Sequence, residues 1–104
     1  MQYNWLGNTG LKVSALCFGT MSFGGDADEA QSAKMYGACR DLGVNFFDCA
    51  DGYSKGRAEK ILGKLMGGHR DEMVITSKCF QPMGADVNAR GANRRHIALA
   101  VEAS

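Results

Sequence analysis

Asp48, Tyr53 and Lys78 are the residues of this chain whose types and spacing suit chemistry. Asp48 ends the apolar run Val44–Phe47, Lys78 follows the run Met73–Thr76, and Tyr53 stands shortly after Asp48. A free tyrosine titrates near ~10 and is a poor proton donor at neutral pH. A lysine ammonium within hydrogen-bond reach stabilises tyrosinate and lowers that value. An aspartate beside the lysine holds it charged and in place. The tyrosine of such a trio is a general acid. Its natural acceptor is a carbonyl oxygen that gains negative charge as hydride adds to the carbon. No side chain donates hydride, so a cofactor must. Spacing alone leaves plainer readings open: a strand-end aspartate as a turn or cap residue, a solvated lysine, a tyrosine that packs.

Whether the trio meets depends on the elements that carry it. Tyr3–Leu6 and Leu11–Val13 flank the turn Gly7-Asn8-Thr9-Gly10 and predict a hairpin. Ser14–Phe18 is nearly all apolar and predicts a strand buried on both faces, ending in the loop Gly19–Gly25. Asp26 and Asp28 suit a helix start; Ala30, Ala33, Tyr36 and Cys39 suggest its inner face, and Leu42-Gly43 its end. Val44–Asp48 is a second strand, followed by the loop Cys49–Gly56. Ala58, Ile61, Leu62 and Leu65 form the cleanest helical stripe, stopped by Gly67-Gly68. Met73–Thr76 is a third strand, Cys79–Ala92 a long loop, and Asn93 the cap of a last helix through Ile97, Leu99 and Val101.

Strict alternation of strand and helix means a parallel sheet with crossover helices, so the class is α/β. Sites in such folds lie beyond the carboxyl ends of the strands. Those ends carry Gly19, Thr20 and Met21 after the first strand, Asp48 after the second and Lys78 after the third. Two architectures compete, an open doubly wound sheet and a (β/α)₈ barrel; about 30 residues per unit is the pace of a barrel of ~250 residues. A chain of 104 residues holds about three such units, so it is expected to be the front part of something longer. Unpaired strand edges in such a piece favour association.

Composition excludes several classes. Twelve basic and 11 acidic residues leave a net charge of +1, which supplies no field for nucleic acid or an anionic membrane surface. No stretch approaches the ~20 apolar residues of a membrane span. Cys17, Cys39, Cys49 and Cys79 are widely spaced, as are His69 and His96, so neither a metal site nor a disulfide framework is expected. The opening Met1–Gly10 has no apolar core of a secretory signal. The expected setting is therefore the cytoplasm, with reduced thiols.

The string Gly43-Val44-Asn45-Phe46-Phe47-Asp48-Cys49-Ala50-Asp51-Gly52-Tyr53-Ser54 resembles the aldo-keto reductase signature G-x-N-F-F-D-T-A-x-x-Y-[GS]. The opening LGNTGLKVSALCFGTMSFGG is similar to that family's hairpin and first strand, and Met73–Lys78 to its third strand. Thr20-Met21-Ser22-Phe23-Gly24-Gly25 looks closest to bacterial members of the branch resembling voltage-gated potassium channel β-subunits. The resemblance implies residues 1–104 as a partial (β/α)₈ TIM-barrel domain, a β-hairpin plus about three βα units. It implies reduction of small aldehydes or ketones with a nicotinamide coenzyme, usually NADPH, with NADH possible. Tyr53 would be the proton donor, tuned by Lys78 and Asp48. Gly19, Thr20, Met21 and Asp48 would lie along the nicotinamide and its ribose. Cys49 departs from the usual threonine. The family's catalytic histidine and phosphate-binding loops are expected beyond residue 104. The alternative is a non-catalytic remnant or a channel-associated regulatory member.

Two other features invite plainer readings. Gly19–Gly25 lacks the lysine of a phosphate-binding P-loop and is followed by Asp26. Arg90, Arg94, Arg95 and His96 read as a solvated face near a helix start.

Overall fold

The computed structural model describes residues 1–104. Five strands and three α-helices follow in the order β1 (Tyr3–Trp5), β2 (Lys12–Ser14), β3 (Phe18–Gly19), α1 (Glu29–Asp41), β4 (Phe46–Asp48), α2 (Arg57–Leu65), β5 (Val74–Thr76) and α3 (Arg94–Ala103). β1 and β2 pair antiparallel, with Tyr3 opposite Ser14 and Trp5 opposite Lys12. β3, β4 and β5 form a separate parallel sheet in that order. This is the expected hairpin plus three βα units, with the sheet open at β3 and β5 rather than closed into a barrel.

The first barrel strand is shorter than its apolar run predicts. Only Phe18–Gly19 pair with β4, and Ala15, Leu16 and Cys17 are exposed. The reason lies in hydrogen bonding. Ser14 N–H donates to Asn45 Oδ1 at 2.7 Å and Ala15 N–H to Gln2 O at 2.8 Å, so this stretch belongs to the hairpin side.

α1 begins where its cap predicts: Asp28 Oδ1 accepts from Gln31 N–H at 2.8 Å. Its inner face differs from the expected Ala30, Ala33, Tyr36 and Cys39. Ser32 and Tyr36 are buried, Met35 and Cys39 pack beside them, and Ala30 is exposed. A strict three-residue spacing drifts around a helix of about 3.6 residues per turn, so positions nine apart point to opposite sides. Ser32 is accommodated by donating to Asp28 O at 2.7 Å.

α2 buries the predicted stripe, with Ala58 and Leu62 inside and Ile61 and Leu65 packed at the margin. The core lies between the sheet and α1 and α2, centred on Phe23, Phe47 and Leu62. Tyr36 stacks near Phe47, ring centres 5.1 Å apart, and its hydroxyl meets His69 Nε2 at 2.6 Å. Gly24 is left-handed (φ +73°), and a Cβ there would stand 2.8 Å from Arg57 Cβ; glycine lets this loop lie against α2. Asn93 caps α3 by accepting from His96 N–H at 2.8 Å. Arg90, Arg94 and Arg95 are exposed as expected, but His96 is buried at 5% exposure, so it does not belong to that solvated cluster. The first turn of α3 points it inward. No helix is long and apolar enough to cross a membrane.

Candidate active site

The parallel ladder continues past the ends of β4 and β5 and thereby builds the site. Asp48 lies opposite Thr76 in register. Beyond them Cys49 N–H donates to Thr76 O at 2.8 Å and Asp51 N–H to Lys78 O at 3.1 Å. Thr76 and Lys78 are two residues apart, so both side chains leave the same face of the strand, the face on which Asp48 stands. Thr20, directly after β3, ties the end of that strand to β4: its N–H and hydroxyl both donate to Asp48 O, at 2.9 and 3.0 Å.

The structure brings Asp48, Tyr53 and Lys78 into direct contact. Lys78 Nζ donates to Asp48 Oδ2 at 2.5 Å, to Cys49 O at 2.7 Å and to Tyr53 Oη at 3.0 Å. An ammonium has three donors, and all three are engaged. The same nitrogen lies 4.8 Å from the centre of the Tyr53 ring. Thr76 Oγ1 donates to Asp48 Oδ1 at 2.7 Å, so both carboxylate oxygens are held.

These contacts set the charges. Burial pushes the Asp48 carboxyl up, but the bonds from Lys78 and Thr76 outweigh it and hold it below the usual carboxylate range. Burial likewise disfavours the Lys78 charge, yet the bonds to Asp48 and Tyr53, with the charge of Asp48, raise it above the usual lysine value. Both shifts express one interaction: a carboxylate and an ammonium that keep each other ionised. The neighbouring Cys49 thiol is pushed up by burial and is an inert packing group.

Tyr53 is aimed by an unusual turn. The loop predicted over Cys49–Gly56 contains a short 3₁₀ segment, Tyr53–Gly56, in which Ser54 (φ 50°, ψ 36°) and Lys55 (φ 56°, ψ 45°) are left-handed. Left-handed backbone costs a residue other than glycine about 1–2 kcal/mol. Such strain persists only where the surroundings over-determine it, and it concentrates at functional sites. Here it turns the chain directly after Tyr53 and sets the phenol over Lys78.

The remaining predicted positions divide. Met21 is 71% exposed, and a Cβ on Gly19 would meet nothing within 4 Å, so both border open space at the strand ends. Thr20 is fully buried and its hydroxyl is committed to Asp48 O, so it braces Asp48 rather than facing that space. His69 is tied to Tyr36 and His96 lies on α3; neither hydrogen-bonds to the trio. Thr76 was not singled out from sequence. Its signal was present in the strand alternation, two residues before Lys78, but reading it required the register against Asp48.

Residues 15–104 match the model of the Aldo/keto reductase family. A probable voltage-gated potassium channel subunit beta of Arabidopsis thaliana is 44% identical over 108 aligned positions, which take in 100% of this chain and 33% of that protein. An uncharacterized oxidoreductase, YrpG, of Bacillus subtilis is 38% identical, with 95% of this chain and 32% of that protein covered. Among solved structures, the holo form of the aldo-keto reductase AKR11C1 from Bacillus halodurans superposes with a TM-score of 0.84 at 30% identity, covering 99% of this chain and 35% of that one. The chain thus spans about a third of the length of these relatives, and its hairpin and three βα units are the front of their barrel. By the signature around Asp48 and Tyr53, the sheet that carries them and these matches, the chain belongs to the aldo/keto reductase family.

Proposed function

We propose that the protein to which these residues belong reduces aldehydes or ketones to alcohols with a nicotinamide coenzyme, NADPH by the family resemblance, and that Tyr53 is its proton donor. The observation that carries this reading is the single ammonium of Lys78 bonded at once to Asp48 Oδ2 and Tyr53 Oη. The open space bordered by Gly19 and Met21 beside the trio suits a flat ring lying against the strand ends. When bound, the nicotinamide supplies hydride to the carbonyl carbon. The chain's own residues handle the proton. Tyr53 Oη accepts from Lys78, which leaves its own hydrogen free to point toward a carbonyl oxygen. As that oxygen gains charge the proton passes to it, and the ammonium stabilises the tyrosinate left behind. Asp48 holds the ammonium in place through a short charge-assisted bond. Thr20 and Thr76 hold Asp48.

On this reading residues 1–104 are a partial barrel domain, and further βα units supply the rest of the coenzyme site. The substrate is a small carbonyl compound. The setting is the cytoplasm, where four unbridged cysteines persist reduced. The test is coenzyme oxidation by the complete gene product with a reactive aldehyde, using NADPH and NADH in parallel. Turnover that disappears in Tyr53→Phe supports the reading. A wild-type protein that binds NADPH but turns over no aldehyde or ketone rejects it. The relative described as a channel subunit favours a second reading, a regulatory member that uses the same fold for association. Coenzyme binding without turnover, together with capture of a potassium-channel cytoplasmic domain, supports that alternative.

A further inference from the structure

A groove of about 720 Å³ runs between α2, α3 and the 79–92 loop, and neither Asp48, Tyr53 nor Lys78 lines it. Two polar atoms on its wall have no hydrogen-bond partner in the protein, Asp51 Oδ2 and His96 Nε2. Both residues are more than nine-tenths buried, at 7% and 5% exposure. Leaving either atom unpaired in such a place is costly. An ionised carboxylate only accepts and an imidazole N–H donates, so each is what the other lacks.

The other charged groups of the groove do not compete. Lys55, Lys60 and Arg95 are exposed to solvent. The two carboxylate oxygens of Glu59 accept from Ser77 and Ser104. Asp86 Oδ1 accepts from Asn88 N–H.

We propose that Asp51 and His96 pair across this groove through one bridging water, and that the pair is a positioning device for Tyr53. Asp51 stands two residues before Tyr53 and is the one buried residue between Ala50 and Arg57. The strained turn at Ser54 and Lys55 follows at once and needs anchors on both sides. The backbone provides Asp51 N–H to Lys78 O at 3.1 Å and Tyr53 N–H to Ala50 O at 3.2 Å. The Asp51 side chain adds a grip from α3, whose first turn is fixed by the bond from His96 N–H to Asn93. His96 thus acts on the site through Asp51, without touching a reacting atom.

The structural half stands alone; the kinetic consequence rests on the proposed carbonyl reduction. The test uses the complete gene product and its Asp51→Asn, His96→Gln and double variants. Three readouts are taken: the side-chain ¹⁵N resonance of His96 Nε2, the ring ¹³Cζ resonance of Tyr53, and kcat and KM for coenzyme. The expected result is that Asp51→Asn moves the His96 resonance and that either single variant moves the Tyr53 resonance. Each single lowers kcat about tenfold, the double no further, with KM for coenzyme unchanged. If Asp51→Asn does not fold, His96→Gln carries the Tyr53 readout. An unmoved His96 resonance in Asp51→Asn overturns the pair. A moved His96 resonance with an unmoved Tyr53 resonance overturns the positioning role. A wild-type protein without turnover rejects the reductase reading alone, because both resonances still decide the pair.

Discussion

Replacing Lys78 with methionine separates catalysis from stability at this site. The substitution keeps most of the stem volume and removes the ammonium, and with it the bonds to Asp48 Oδ2, Cys49 O and Tyr53 Oη. The side chains of Lys78 and Asp48 are 51% and 32% exposed, so water screens the pair. A pair in that environment contributes under about 1 kcal/mol to stability. Asp48 also keeps the bond from Thr76, so the melting temperature falls by only a few degrees. The effect on rate is larger. On the proposed mechanism the ammonium faces a negatively charged phenolate in the transition state, and a hydrogen bond to a charged group contributes about 1.5–3 kcal/mol. At about 1.4 kcal/mol per factor of ten, kcat falls about 10- to 150-fold. Steady-state coenzyme oxidation with a reactive aldehyde measures that loss, and fluorescence titration shows whether coenzyme still binds. Turnover within twofold of wild type would refute the role given to Lys78. So would a loss of rate that follows unfolding, with no folded protein left at the assay temperature. The pH dependence has a definite sign. The lowered Asp48 value makes its contribution present above about pH 4 and lost as pH falls below it, whereas the raised Lys78 value makes the pair fade only above about pH 10. In the methionine variant this acid-side loss of stability is smaller than in wild type, as a comparison of melts at pH 3 to 7 would read out.

Three further outcomes are expected. Tyr53→Phe lowers kcat by at least about 100-fold, within the range general acids supply, while the coenzyme dissociation constant changes less than about threefold; equal turnover on every aldehyde tried would mean another group is the acid. Gly24→Ala destabilises by about 2 kcal/mol in denaturant melts, because its left-handed φ and the 2.8 Å approach to Arg57 Cβ leave no room for a methyl, and an unchanged midpoint would show that the loop yields freely. Residues 1–104 expressed alone associate, because β3 and β5 are open edges and Leu16 and Met21 are exposed beside them; a monodisperse monomer in size exclusion with a cooperative melt would contradict this.

The sequence by itself determined the class of fold and singled out the trio that the structure brings into contact. Alternating strand and helix signals dictate a parallel sheet, and a parallel sheet places all its strand ends at one mouth. That rule alone brings the ends at Gly19, Asp48 and Lys78 together, and the signature around Asp48 and Tyr53 pointed to the family that the comparisons then showed. Helix starts at Asp28 and Asn93 were legible because capping is local chemistry, decided within a few residues. Tertiary structure decided what depends on neighbours distant in sequence. Which face of α1 turns inward was settled by Tyr36 meeting Phe47 and His69, not by the spacing of small residues. The end of the apolar run before Phe18 joined the hairpin because Asn45 and Gln2 supplied its hydrogen bonds. Thr76 became a support for Asp48 only through the register of β4 on β5, and Thr20 faced Asp48 rather than open space because its hydroxyl found a buried carbonyl. The left-handed turn after Tyr53 falls on serine and lysine, residues that carry no local signal for it. A conformation of that kind is imposed by packing on both sides of the turn, and those contacts exist only once the chain has folded.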